Sequence, residues 1–201
     1  MAVLSTIPPG AAADTRRGGG IEPGVLGLAL FLGSEAMFFA GLISAFLILK
    51  AGAGTWPPPG QPRLPVLVTG INTAFLLLSG GAILLAIAAI RREGQRRGTL
   101  WLAVTAALGA IFLAVQGFEW VRLLGFGLSL SSGTYGATFY ALIGAHGIHV
   151  LVALIVLLFV LSRAMRGRYT SSRYVGVVLC AMYWSFVVAV WPLLYALVYF
   201  A

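Results

Sequence analysis

The stretch GVLGLALFLGSEAMFFAGLISAFLIL, residues 24–49, decides the fold, because Glu35 is its one ionisable side chain. It is longer than the ~20 residues that cross a ~30 Å hydrocarbon core as a helix. A second apolar run of this kind, residues 135–161, carries His146 and His149. The sequence therefore predicts helices that span a membrane.

Three further apolar runs of similar length lie at residues 66–90, 99–124 and 174–200. The segments between the runs are rich in Gly, Pro, Ser and Arg, which interrupt helices. We predict an all-α fold: a polytopic membrane protein with a bundle of five transmembrane helices in residues 24–201. Residues 1–23 have few large side chains and are predicted to form a flexible N-terminal tail.

The composition of the 201-residue chain agrees with this prediction. Hydrophobic residues make up 60% and charged residues 9%, against roughly 45–50% and about 25% in soluble domains. The formal charge of +8 comes mainly from arginines in two short segments between apolar runs. Such clusters are typical of the cytoplasmic loops of membrane proteins and argue against a nucleic-acid partner.

The basic residues also predict an orientation. Ten of the 13 Lys and Arg residues lie in the tail and in the second and fourth loops, which share one side of a five-helix protein. The positive-inside rule places that side, with the N-terminus, in the cytoplasm and the C-terminus outside.

Two polar side chains of the apolar runs are expected near the middle of the membrane. Glu35 lies roughly 16 Å along the first helix, and His149 lies near the middle of the fourth. We expect a hydrogen bond from Glu35 to His146 or His149. Intramembrane Glu and His groups serve proton paths or interhelical hydrogen bonds. We favour the second role, because the second and fifth runs lack groups that ionise near neutral pH apart from Cys180.

Gln116 and Glu119 share one face of the third helix and are expected to form a polar patch against another helix or subunit. No metal site is predicted in this chain. Two histidines three residues apart on one helix cannot supply both axial faces of a haem, and His146 and His149 are the only two in the chain. No catalytic residue is predicted either, since neither a phosphate-binding loop nor a nucleophile elbow is present.

Seven segments of the chain resemble subunit III of the haem–copper terminal oxidases, in that family's order. They are GSEAMFFAGLISAF, WPPPG, INTAFLLLSG, QGFEW, SGTYGATFYALIGAHGIHV, RYTSSRYVG and YWSFVVAVWPLLYALVY. The resemblance is to the short, five-helix form. In the last segment Ser185 and Val188 stand where the family usually has a histidine and an acid.

The resemblance implies a non-redox accessory subunit of a respiratory oxidase, most directly cytochrome c oxidase, in a bacterial cytoplasmic membrane. The expected partners are catalytic subunit I, subunit II and other small subunits, with haem and copper held by those partners. It also implies phospholipid binding, with Arg163 and Arg166 facing lipid phosphates, and a role in aerobic electron transport coupled to proton translocation. Glu35 matches the family's intramembrane glutamate.

Two other functions stay open at this stage. The oxidase could take its electrons from quinol, or the chain could serve a nitric-oxide-reductase-associated homologue, because the donor site belongs to other subunits. A small transporter or channel is the alternative of another class. It would need a polar route through the bundle, and the sequence offers no pair of broken helices in an inverted repeat.

Overall fold

The structure, a computed structural model, describes residues 22–62, 64–92, 94–170 and 173–200. Within these residues there are five α-helices, each long and apolar enough to cross a membrane. They are α1 (Pro23–Ala51), α2 (Val66–Arg92), α3 (Gln95–Gly125), α4 (Thr134–Met165) and α5 (Val175–Tyr199). The prediction of an all-α fold with five spanning helices is confirmed. The predicted tail lies almost wholly outside the described residues.

The connections define two ends of the bundle. The N-terminus of α1, the α2–α3 connection and the α4–α5 connection share one end, which we call the basic end for its arginines. The α1–α2 and α3–α4 connections share the other, which we call the far end. There Trp56 of the first connection packs edge-on against Phe46 and Tyr135, with ring centroids 5.7 and 5.1 Å apart. Gln61 Nε2 donates to the Ser132 carbonyl at 3.1 Å and joins the two far-end connections.

Helices α2, α3, α4 and α5 form the core of the bundle. α2 packs against α3 and α5, and α4 packs against α3 and α5. Trp184 and Trp191 of α5 are fully buried in this core. Their indole N–H groups donate to Ser79 at 3.1 Å and to Thr73 at 2.8 Å, both on α2. Hydrogen bonds between helices thus supplement close packing, which is the main attraction between helices in lipid.

Helix α1 is the peripheral member of the bundle. In the part of the chain that the structure describes, it packs only against α4 and α5. Its two fully buried side chains are Phe39 and Phe46. Leu30, Met37 and Ile48, by contrast, are each about 70% exposed or more. Most of α1 therefore faces lipid or another protein.

Two helix ends differ by four residues from the predicted ones, and the others differ by two residues or fewer. α3 begins at Gln95 rather than 99, and α4 continues to Met165 rather than ending at 161. The prediction followed the apolar runs, but helix-forming residues such as Gln, Arg, Ala and Met continue a helix beyond the hydrocarbon. Gly94 and Gly167, at φ +95° and +76°, lie just outside these two helix ends in a backbone conformation that favours glycine. The extension matters because it keeps Arg163 on α4.

The α3–α5 contact gives a stability test. A Cβ atom at Gly109 would overlap Cη2 of the fully buried Trp184. Gly109→Ala should therefore overpack the core and destabilise the chain by about 1–3 kcal/mol. The measurement is the melting temperature of the chain within its assembled complex. Gly117→Ala on the same helix is the control, because no atom lies within 4 Å of that Cβ position; equal effects of the two changes would contradict the packing described.

Candidate functional site

Glu35 of α1 bonds to His149 of α4. Among the described residues, this is the only ion pair or hydrogen bond between side chains of these two helices. Nε2 of His149 lies 2.7 Å from Oε2 of Glu35. Nδ1 of the same ring lies 2.7 Å from the Ala145 carbonyl. The two side chains are each 18% exposed. The hydrogen bond expected between Glu35 and one of the two histidines is therefore present, and its partner is His149.

The geometry limits where protons can lie in this pair. A carbonyl oxygen only accepts hydrogen bonds, so Nδ1 of His149 must carry a proton. Nε2 then either accepts a hydrogen bond from a neutral Glu35 carboxyl or, when it is protonated, donates one to the Glu35 carboxylate. In both arrangements the pair shares one proton and has no net charge. Burial of a neutral pair avoids the large cost of a single charge in hydrocarbon.

His146, three residues earlier on α4, makes no contact with Glu35. Its ring stacks on Trp191, with centroids 4.9 Å apart and an interplanar angle of 27°. Phe39 and Phe112 approach it edge-on at 6.3 and 6.4 Å. The two histidines therefore occupy different surroundings, one in the α1–α4 contact and the other within the aromatic core.

Gln116 and Glu119 lie on α3 towards the far end and are both buried. Gln116 Nε2 donates to the Tyr199 hydroxyl of α5 at 3.2 Å, so this part of the polar patch does face another helix. Glu119 lies 3.8 Å from the half-exposed Arg122 of its own helix. Among the described residues, no hydrogen bond joins either of these two side chains to the Glu35–His149 pair.

A groove of about 600 Å³ runs along α1, α4 and α5 in the basic-end half of the bundle. We call it the basic-end groove. Its walls are almost entirely apolar, with Arg163 and Tyr169 as the polar residues nearest the end of the bundle. The residues that line it are Leu28, Phe31, Val152, Val156, Phe159, Val160, Arg163, Tyr169, Gly176, Leu179, Cys180 and Tyr183.

Two aromatic rings hold the Arg163 side chain at the mouth of this groove. Its guanidinium carbon lies 5.8 Å from the Phe159 ring centroid and 6.0 Å from that of Tyr169. Burial raises the pKa of Tyr169 above its usual value, although nearby Arg163 acts in the opposite direction. The phenol therefore stays neutral and can donate a hydrogen bond. Arg166, at the C-cap of α4, is exposed and does not line the groove.

A second groove, of about 550 Å³, follows α1 and α4 in the far-end half. It has small side chains along both helices, including Ala45, Ala137 and Ala141. Along the axes of both helices, the Glu35–His149 pair lies between the two grooves. The crevice between α1 and α4 is thus apolar in each half and polar in the middle.

Several residues of these sites were not predicted from the sequence. Tyr169 lies in a loop, so no apolar period marks it. Asn72, a buried amide of α2, donates to the Phe112 carbonyl at 3.0 Å. It does have a signal in the sequence, because it is a polar residue within an apolar run. Val188, where the related family usually has an acid, is 7% exposed and packs against Gly80.

The described residues contain no group of three or more His, Cys, Asp or Glu side chains that could hold a metal ion. The arrangement is instead a five-helix membrane bundle with one shared-proton pair and two apolar grooves. These features define a multi-pass membrane protein in which several polar side chains of different helices bond to one another within the bundle.

Comparison with known proteins narrows this class to one family. The family model for cytochrome c oxidase subunit III matches residues 18–201. A cytochrome c oxidase subunit 3 from Synechocystis is 38% identical over 176 residues, which are 87% of this chain and 74% of that protein. The subunit 3 of Thermostichus vulcanus is 36% identical, with 87% and 86% covered, and that of the lamprey Petromyzon marinus is 36% identical, with 86% and 67% covered.

The chain belongs to the cytochrome c oxidase subunit III family. It is an accessory subunit III of a haem–copper oxidase, and it acts in a complex with other oxidase subunits. These relatives do not favour the alternatives, which were a quinol oxidase, a nitric-oxide-reductase-associated homologue and a small transporter or channel.

The Glu35–His149 contact yields a second prediction. Glu35→Gln should keep most of the stability, because an amide N–H can donate to the unprotonated Nε2 of His149. Glu35→Ala removes the bond and should cost about 0.5–2 kcal/mol. Thermal dissociation of the chain from the intact oxidase measures both. Ser34→Ala is the control, since its hydroxyl bonds only to Phe31 of its own helix; a glutamine variant as unstable as the alanine variant would refute the geometry.

Proposed function

We propose that this chain stabilises a haem–copper oxidase by binding catalytic subunit I, together with subunit II and other small subunits, and by holding phospholipid at their common boundary. The enzyme is cytochrome c oxidase of a bacterial cytoplasmic membrane, and haem and copper reside in the partner subunits. The basic-end groove with Arg163 at its mouth is the observation that carries the lipid part of this proposal.

The groove has the properties that a lipid requires. An acyl chain is apolar and fits walls of Leu, Val and Phe. A phosphate is anionic, and the guanidinium fork of Arg163 can give it two charge-assisted hydrogen bonds. Contact with Phe159 and Tyr169 restrains this fork before the phosphate arrives, which lowers the entropy lost on binding. The neutral Tyr169 hydroxyl can serve as an additional donor.

Arg166 has a weaker role in this proposal. It lies at the same end of the bundle as Arg163, but outside the groove. Its charge attracts anionic headgroups to the basic end, where juxtamembrane Lys and Arg contribute about 1 kcal/mol each. Arg163 is therefore the binding residue, and Arg166 contributes to the field around it.

The exposure of α1 supports a partner subunit beside the crevice. A polar pair at the middle of the membrane costs free energy where its exposed surface contacts hydrocarbon. The Glu35 and His149 side chains are each 18% exposed. A wall from another subunit, with lipid in the two grooves on either side, would cover this pair. Such a wall would also cover part of the exposed surface of α1.

We assign the polar residues to helix packing rather than to a proton relay. Glu35 and His149 are paired, and Gln116 and Glu119 bond near the far end, while His146 lies among aromatic rings. These groups do not form one connected row in the described part of the bundle. Glu35 supports turnover lifetime through assembly, and its shared proton keeps the pair neutral.

The lipid proposal is tested by Arg163→Gln, with Arg92→Gln as the control. Both changes remove one positive charge from the basic end, but Arg92 lies at the end of α2, which does not line the groove. The Arg163 variant of the intact oxidase should lose about one bound phospholipid per complex, since one fork binds one phosphate. Native mass spectrometry counts the retained lipids. Equal lipid content in both variants and the parent would contradict the assignment.

The proposed orientation is tested by cysteine labelling in intact cells. Thr55→Cys lies in the far-end α1–α2 connection and Arg168→Cys lies in the basic-end α4–α5 connection, and both positions are exposed. A membrane-impermeant reagent should label the first in intact cells and the second only after permeabilisation. The native Cys180 is buried and should remain unlabelled. The reverse pattern would overturn the orientation.

A further inference from the structure

Tyr169 is buried, although it lies in the short connection between α4 and α5. The residue is only 7% exposed and belongs to the hydrophobic core of the bundle. Its neighbours in the connection are all exposed: Arg166, Gly167, Arg168 and Thr170. The fold therefore directs this one side chain of the connection onto the helices, and two glycines make that possible.

Gly167 turns the chain back at the end of α4. It lies at φ +76°, directly after the C-cap residue, and its N–H donates to the Ala164 carbonyl at 3.0 Å. The next N–H, of Arg168, donates to the Arg163 carbonyl at 3.1 Å. These two bonds form a Schellman motif, in which glycine suits the left-handed residue. The motif fixes the backbone of Arg163 relative to the point where Tyr169 leaves the helix.

Gly176, in the first turn of α5, leaves room for the Tyr169 ring. A Cβ atom at this position would lie 2.9 Å from the Tyr169 hydroxyl oxygen, 3.3 Å from Cε1 and 3.5 Å from Cζ. The phenol oxygen thus occupies space that any larger side chain at residue 176 would need. Both residues line the basic-end groove.

The Tyr169 ring is one of the two rings that restrain Arg163. The guanidinium carbon lies 6.0 Å from the Tyr169 centroid and 5.8 Å from that of Phe159. Phe159 belongs to the same helix as Arg163 and is 60% exposed, so few neighbours fix its ring. Tyr169, by contrast, packs on α5. It is therefore the contact that ties the guanidinium to the rest of the bundle.

We propose that Gly176 is a positioning residue of the phospholipid site: it lets Tyr169 pack on α5, and the Tyr169 ring in turn holds Arg163 at the mouth of the groove. This inference rests on the proposed lipid function of the basic-end groove and names a residue on which that function depends. Gly176 acts only through Tyr169. A guanidinium that is already restrained loses less conformational entropy when it binds a phosphate.

A role of Gly176 in groove width alone is the competing explanation. An added methyl group would then narrow the apolar groove and exclude an acyl chain directly. Positioning instead requires that the methyl group displaces the phenol. The clash is with the end of one side chain rather than with backbone, so the ring can move at little cost to the fold. We therefore expect Gly176→Ala to leave the melting temperature of the complex unchanged.

The test is Gly176→Ala in the intact oxidase. The complex is equilibrated with mixed micelles of detergent and increasing phosphatidylglycerol, and native mass spectrometry counts the bound lipids. Half-occupancy should require about 2- to 12-fold more phosphatidylglycerol than in the parent, which is the cost of ordering one long side chain on binding. Gly27→Ala on α1 is the control, because no atom lies within 4 Å of that Cβ position. Equal affinities of Gly176→Ala and the parent would overturn the proposal.

A compensating change at Tyr169 separates positioning from groove width. Tyr169→Phe keeps the ring and removes the oxygen nearest to position 176. In the double variant with Gly176→Ala, the methyl group meets only ring carbons, at 3.3 and 3.5 Å. The double variant should therefore bind phosphatidylglycerol as well as Tyr169→Phe alone, a non-additive result expected for residues in contact. A double variant as weak as Gly176→Ala would indicate a narrowed groove and contradict the positioning role.

Two further arms show which part of the argument fails. Loss of lipid from Arg163→Gln together with normal binding by Gly176→Ala would keep the groove as the lipid site and remove Gly176 from it. Full retention by Arg163→Gln would overturn the lipid site and this inference together. Diacylglycerol has the acyl chains without the phosphate, so Gly176→Ala and the parent should bind it equally. An equal loss of affinity for both lipids would contradict the positioning role.

Discussion

The hydrogen bond between Glu35 and His149 is the contact on which the position of α1 depends. Lipid is as apolar as the side chains of α1, so the helix gains little from burying them against its neighbours. A hydrogen bond at mid-depth, unlike an apolar contact, stabilises the packed position, because breaking it leaves a carboxyl and an imidazole exposed to hydrocarbon. At 2.7 Å, with one shared proton and no net charge, the pair links α1 to α4 without the cost of a buried ion. Phe39 and Phe46, the buried side chains of α1, pack one and three turns further along the helix towards the far end.

The other four helices do not depend on this pair. Their core is held by two tryptophans of α5 that bond to hydroxyls of α2, and by the close approach of Gly109 to Trp184. The chain therefore has a tightly packed part and a peripheral helix. The crevice between them has an apolar groove in each half, and the groove at the basic end has a restrained guanidinium at its mouth. Lipid binding and partner binding follow from this division, since a peripheral helix leaves both room for acyl chains and a surface for another subunit.

Much of this arrangement could be predicted from the sequence, for physical reasons. The thickness of the bilayer sets the length of each span, so the five helices and most of their ends were predictable. The rise per residue places Glu35 and His149 at similar depth, which is why a bond to one of the histidines could be expected. The choice of His149 over His146 could not, because it depends on the rotation of α4 about its axis, and apolar residues surround that helix on all sides.

The same limit applies to the arginines and to the aromatic core. Arg163 and Arg166 are one turn apart, and only the structure distinguishes the one that lines the groove. Tyr169 reaches that groove from a loop, and the aromatic rings around His146 come from α1, α3 and α5. Neither therefore has a periodic signal in the sequence.

A double-mutant cycle on Glu35 and His149 in the intact oxidase shows directly whether this pair holds α1 in place. Glu35→Ala, His149→Ala and the double variant are compared by the temperature at which the chain dissociates from the complex. Because the two side chains bond to each other, we expect a coupling energy of about 0.5–2 kcal/mol, with the double variant little worse than either single one. Strictly additive losses would show that the two residues act separately and that α1 is held by other contacts.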